Sequence, residues 1–261
     1  MVHRSATPAD YGVVGVGAIA EAIVTGACTA ERPPTLLLSP RNAARAAALA
    51  ERYPSVGVAP DNQAVVDGSA VVVLAVRPQD AGAVQELTFP EGQPVISVTA
   101  EISLDDLGRL VAPASAVARA VPLPAVARRA AVTPVHPPSA AARSLFDPLG
   151  GVLEVSDARD FEALSATTAT IAAHFEYLDA IARWLAGAGV PERDATRYVA
   201  SVFAGLADTL RASHQDFASL AREHATPGGL NEQFSAALRE AGTFETVGRT
   251  LDAVLERLPP P

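Results

Sequence analysis

The chain has 261 residues, 49% of them apolar, which is enough to bury a substantial core in one or two domains. Its formal charge of −9, from 20 basic and 29 acidic residues, argues against sequence-independent binding to nucleic acid and offers anionic membranes no broad basic patch. A lone cysteine, Cys28, excludes a disulfide framework within one chain and points to a reducing cytosol, and no apolar run is long enough to span a bilayer.

Met1 to Asp10 has no apolar stretch of the secretory kind. The first ordered pattern is Tyr11-Gly12-Val13-Val14-Gly15-Val16-Gly17-Ala18-Ile19-Ala20. A β-branched run leads into two glycines one residue apart, and a helical pattern follows (Ala20, Ile23, Val24). Gly15 suits the tight turn, Gly17 lets backbone N–H groups approach a diphosphate, and Ala20 allows close packing of helix on strand. The orphan N–H groups and positive dipole end of that helix complete a dinucleotide site, in which Ala18 and Ile19 also belong. Cys28, later on the same helix, reads as a small packed hydrophobe.

Pro33-Pro34 breaks the chain, Thr35 to Leu38 reads as a second strand, and Ala43 to Tyr53 as a second helix. The end of this strand chooses the cofactor. An NAD site puts an acid about 20 residues past the glycines, for the ribose 2′-OH. Here Ser39 and Arg41 stand instead, a hydroxyl and a guanidinium suited to a 2′-phosphate, so NADPH (NADP+) is favoured over NADH.

Val56 to Val58 reads as a third strand, and Asp61-Asn62 starts a helical turn that ends at Asp67-Gly68. Ala70 to Val76 is an apolar strand buried on both faces. Ligands of doubly wound sheets lie beyond the carboxyl ends of strands, so Ala75, Val76, Arg77 and Pro78 should line the cofactor cleft. Further strands read at Pro94 to Val98, Ala116 to Val121, Ala130 to Val135 and Gly151 to Val155, with a helix capped by Ser103 running to Leu110. Strand–helix alternation argues for a parallel sheet covered on both faces. From about Asp157 everything reads as helix. A long helix spans Phe161 to Ala186, a second Glu192 to Ala212, and the last two Asn231 to Ala241 and Phe244 to Leu258, after a Thr226-Pro227-Gly228-Gly229 turn.

In this order the segments resemble the pyrroline-5-carboxylate reductases. Gly15 to Ala22 stands at that family's glycine turn, and Leu38-Ser39-Pro40-Arg41 at its serine–arginine strand end. Asn62 matches an asparagine near the cofactor ribose. Leu74-Ala75-Val76-Arg77-Pro78-Gln79, Ile96 to Ala100 and Thr226 to Gly229 match further motifs. The resemblance implies residues 1–157 as an NADP(H)-binding Rossmann-type doubly wound α/β domain. It implies residues 158–261 as an all-α substrate and dimerisation domain, in a homodimer or higher homo-oligomer. The implied reaction is hydride transfer to a cyclic C=N bond.

The substrate motifs depart from the family. Its M-P-N-T-P loop is Val121-Pro122-Leu123-Pro124 here, and its glycine-rich helix start is Ala166 to Ala172. The threonines after its P-G-G are replaced by Leu230 and Asn231. The expected substrate is therefore a cyclic imine or iminium other than pyrroline-5-carboxylate. Leu123, Thr167, Thr170 and Leu230 are expected to bind it. A proton must reach the product, and four residues are candidates. Glu101 follows a strand end; it could serve as an acid in a partly apolar cleft, or as a carboxylate holding an iminium. Asn231 matches a family hydrogen-bonding position. His174 and Tyr177 share one helical stripe with Thr167 and Thr170. The bland readings are a loop acid that caps a helix and a polar face at an interface or in water. True pyrroline-5-carboxylate reduction, reduction of a ketone, and nucleotide binding without catalysis all remain open.

Overall fold

The structure is a computed structural model and describes residues 7–77, 80, 82–99 and 101–259. It forms two compact units. One runs through Ser165 and includes Leu258; the other is Ala166–Arg257.

The first unit holds an eight-stranded sheet. Its strands are β1 (Ala9–Val14), β2 (Leu36–Leu38), β3 (Val56–Val58), β4 (Ser69–Leu74), β5 (Pro94–Ser97), β6 (Ala116–Ala120), β7 (Thr133–His136) and β8 (Val152–Glu154). They lie in the order β3-β2-β1-β4-β5-β6-β7-β8. All neighbours are parallel except β6 and β7, where Arg119 pairs with His136 and Ala120 with Val135 in antiparallel register.

The two-residue period of the strands divides the core. Val13, Val73 and Ile96 pack with α1 (Ala18–Cys28), α2 (Ala43–Arg52) and α6 (Ala140–Phe146). Their neighbours Val14, Val72, Leu74 and Val95 pack with α3 (Asn62–Asp67), α4 (Gly82–Gln85) and α5 (Leu104–Leu110). Two apolar clusters sharing one sheet are what a doubly wound fold requires. The caps explain where several helices begin. The side chains of Asn42, Asp61, Ser103 and Ser139 accept backbone N–H bonds at the starts of α2, α3, α5 and α6.

One expectation fails at residue 168. The single helix read from Phe161 to Ala186 is two, α7 (Ala158–Thr167) and α8 (Thr170–Gly187). Thr170 Oγ1 donates to the Thr167 carbonyl at 2.8 Å across the break. Three β-branched threonines in four residues offer hydroxyls that compete for the helix's own carbonyls. Apolar spacing continues across the junction, so periodicity could not show it.

The second unit continues with α9 (Glu192–Ala212), α10 (Phe217–His224), α11 (Leu230–Glu240) and α12 (Thr243–Leu255). Helix α10 is missing from the sequence reading, although Asp216 caps it by accepting from Ser219 N–H at 2.8 Å. Among the described residues no helix is long and apolar enough to cross a membrane.

Candidate nucleotide cleft and helical-unit candidates

Strand order reverses between β1 and β4, because β2 leaves β1 on one side and β4 continues on the other. A crevice opens at the carboxyl ends of strands at such a switch point. A cleft of about 480 Å³ lies there, lined by Gly15, Gly17, Ser39, Arg41, Asn62, Ala75, Val76 and Arg77, all expected from the sequence. Pro78 lies outside the described residues. Ala18 and Ile19 form the first turn of α1 and are not among the cleft-lining residues.

The two glycines do different work. Gly15 has φ +93°, and a Cβ built there would sit 2.7 Å from the Ala75 carbonyl oxygen. Only glycine both adopts that backbone and lets the β1 and β4 ends approach so closely. Gly17 has ordinary extended backbone, and among the described residues a Cβ there would meet no atom within 4 Å. The protein itself does not need glycine at 17; the space in front of it does. Gly17 also provides no side-chain cap to α1, so donors of the first turn are left for an anion. This bare helix start beside open space fits a dinucleotide diphosphate.

Ser39 is fully buried and braces the turn, its Oγ accepting the Gly15 N–H at 2.9 Å. A hydroxyl that accepts still has a proton to donate. Ala75 N–H donates to Val14 carbonyl at 2.8 Å, and Thr99 Oγ1 donates to Val76 carbonyl at 2.9 Å, fixing the end of β4.

The cleft is more basic than the sequence reading foresaw. Arg45 lines it beside Arg41 and Arg77. It bonds the Val16 carbonyl (Nη1, 3.4 Å) and pairs with Glu21 at 2.9 Å. Arg45 lies four residues beyond Arg41, in the first turn of α2. Asn42 also lines the cleft, and its Nδ2 donates to the Val16 carbonyl at 3.2 Å. Asp80 was not foreseen either. Its Oδ1 takes Arg41 Nη2 at 2.8 Å, and its Oδ2 takes Arg77 Nε at 2.9 Å. The Arg77 and Arg41 guanidiniums hold the Asp80 carboxyl below the usual carboxylate range. No local pattern around residue 80 announces that bridge, because Arg41 is distant in sequence.

The remaining candidates lie on elements of both units. Glu101 is exposed, with φ +62°, and is not among the residues lining the cleft. It therefore has none of the burial that the acid role assumed. Its left-handed backbone is a glycine-like conformation, at the position where the resembled family has glycine. Leu123 precedes a 3₁₀ turn at Pro124–Arg128 and packs, partly buried, against the core that contains α1.

In the second unit, His174 and Tyr177 on α8 both approach Phe203 of α9, with ring centroids 6.0 and 5.9 Å away and near-perpendicular planes. Thr167 is not on their helix: it ends α7, whereas Thr170 opens α8. The expected four-residue stripe is therefore broken. Asn231 Nδ2 donates to the His224 carbonyl at 2.9 Å, and Leu230 is exposed.

Residues 10–101 match the family described as NADP oxidoreductase coenzyme F420-dependent, and residues 158–259 match pyrroline-5-carboxylate reductase dimerisation. The pyrroline-5-carboxylate reductase of a Synechocystis species is 26% identical over 95% of this chain and 96% of its own. The 1-pyrroline-5-carboxylate reductase of Streptococcus pyogenes is 25% identical, covers 97% of this chain and 98% of its own, and superposes with a TM-score of 0.80. The corresponding Coxiella burnetii structure shares the fold at 22% identity, with a TM-score of 0.83 and coverage of 95% and 97%. With a glycine-turn cleft at the switch point and both halves matched in order, the chain is similar to the pyrroline-5-carboxylate reductases over nearly its whole length.

Proposed function

We propose that this protein is an NADPH-dependent reductase of a cyclic imine or iminium C=N bond, with a substrate other than pyrroline-5-carboxylate. The observation that carries the reading is the cleft itself. A bare helix start faces open space, and Arg41, Arg45 and Arg77 stand around it on a chain of net charge −9. Such a concentration of cations suits a ligand with several phosphates. Gly17 and the first turn of α1 would hold the diphosphate. Asn62 would meet a ribose, and Ser39 and Arg41 a 2′-phosphate. A reduced nicotinamide, when bound, supplies hydride to the electrophilic carbon. A neutral imine also needs a proton on its nitrogen, whereas an iminium is already charge-balanced by the hydride and needs an anion or polar group to hold it. Asn231, Glu101, His174 and Tyr177 are the candidates, and Leu123, Thr167, Thr170 and Leu230 the candidate substrate contacts.

The altered substrate segments support a changed substrate: Leu123 in the proline loop, Ala166 to Ala172 in place of a glycine-rich helix start, and Leu230-Asn231 after the Pro-Gly-Gly turn. The competing reading keeps pyrroline-5-carboxylate, and the Synechocystis and Streptococcus relatives, aligned over nearly their whole length, favour it. A homodimer through the helical unit belongs to the same proposal. That unit leaves Trp184 71%, Phe217 79% and Leu230 84% exposed in the single chain, more apolar surface than a monomer ordinarily shows water.

The test is NADPH oxidation by the purified protein with a panel of cyclic imines that includes pyrroline-5-carboxylate. Turnover of other imines, with pyrroline-5-carboxylate poor, is the expected result. Rapid proline formation would overturn the substrate assignment. Tight nucleotide binding without turnover of any imine would overturn the reductase.

A further inference from the structure

Among the described residues lining the cleft, Asp80 is the only acid. An acid is out of place where a ligand with several phosphates is to sit, because like charges in contact are costly. Yet it is well fixed. Each carboxylate oxygen is taken by a different guanidinium, Arg41 at 2.8 Å and Arg77 at 2.9 Å, and its side chain is 17% exposed where theirs are 52% and 71%. Arg41 is the residue that the chain's own logic reserves for a 2′-phosphate. One guanidinium fork thus has two anionic claimants, one built into the protein.

We propose that Asp80 is an internal stand-in for the 2′-phosphate and thereby sets the cofactor preference. With no nucleotide, or with one lacking that phosphate, the Asp80 carboxylate bridges Arg41 and Arg77. A 2′-phosphate takes Arg41 from it. The bridge keeps two long cationic side chains ordered, and it also lowers affinity for the phosphorylated nucleotide by the work of releasing Arg41. The inference rests on the NADP(H) reading above.

The two stand or fall separately in one calorimetric experiment with 2′,5′-ADP and 5′-AMP as probes. The wild type should prefer 2′,5′-ADP. Asp80→Asn, nearly identical in shape, should tighten 2′,5′-ADP by about fivefold, the size expected for releasing a partly exposed ion pair, and leave 5′-AMP within about twofold. Unchanged or weaker 2′,5′-ADP binding in the variant would overturn the stand-in, since a residue that merely positions the arginines gives the opposite sign. Equal tightening of both probes would also overturn it, as a general charge effect. A wild type indifferent to the 2′-phosphate would instead remove the cofactor reading beneath it. Asp80→Ala repeats the measurement should the asparagine variant melt early. Either variant keeps the backbone bond from residue 80 N–H to the Arg77 carbonyl.

Discussion

Arg41 and Gly15 show how differently two residues of one cleft can act. Arg41 is half exposed and, among the described residues, makes one ion pair, so its removal should leave stability nearly unchanged. Arg41→Ala should weaken NADPH by about tenfold or more, from loss of a charged hydrogen bond, while NADH binding changes little. Equal losses for the two cofactors would end its assignment to the 2′-phosphate. Gly15 is locked by the chain itself. Gly15→Ala combines a strained φ with a clash on a backbone oxygen, and should cost about 2 kcal/mol or more by denaturant unfolding. At Glu101 the backbone and the carboxylate can be tested apart. Glu101→Gly relieves the φ of +62° and should stabilise by up to about 1 kcal/mol. Glu101→Gln keeps that backbone and should slow turnover only if the carboxylate touches the reaction. Cys28 stands 3.6 Å from Ser55 Oγ, and burial pushes its thiol up, as its reading as a packed hydrophobe anticipates.

Elements are joined by contacts that no single stretch of sequence displays. Helix α7 is tied to β6 by a buried ion pair between Glu162 and Arg119, with the Arg119 guanidinium 4.8 Å over the Phe161 ring. Phe161 in turn lies 5.7 Å from His136 on β7, whose Nδ1 meets the Val155 carbonyl at 2.9 Å. Among the described residues the Arg119 Nε finds no hydrogen-bond partner, so the guanidinium depends on Glu162. Glu162→Ala should leave a buried, uncompensated cation and cost about 3–5 kcal/mol in chemical denaturation. The double variant Arg119→Met, Glu162→Leu should recover most of that loss. If the single variant cost under about 1 kcal/mol, α7 would not be held by this pair. Helix α7 also shows where periodicity fails. Its apolar spacing runs on into α8, but α7 ends at Thr167 and α8 starts at Thr170, whose hydroxyl donates back to the Thr167 carbonyl.

For the whole molecule, the prediction is a dimer whose helical unit covers the large apolar side chains it now exposes. Light scattering at micromolar concentration should give twice the chain mass, and Trp184, the chain's single tryptophan, should emit further to the blue than its 71% exposure implies. A stable monomer would leave the exposed face unexplained.

The sequence alone determined the strands, their order of appearance, the glycine turn and the serine–arginine strand end. Each is local: a run of β-branched residues, a missing Cβ, or a spacing matched to 2.0 or 3.6 residues. It also placed most of the cleft, because the carboxyl ends of β1 and β4 must meet at the switch point of any doubly wound sheet. Only the tertiary structure decided that β7 runs against β6, that Arg119 and Glu162 neutralise each other in the interior, and that Asp80 bridges Arg41 to Arg77. The direction of β7 is a matter of tertiary strand pairing, the Arg119–Glu162 and Arg41–Asp80 contacts join charges from distant parts of the chain, and an ion pair leaves no periodicity in the sequence that forms it.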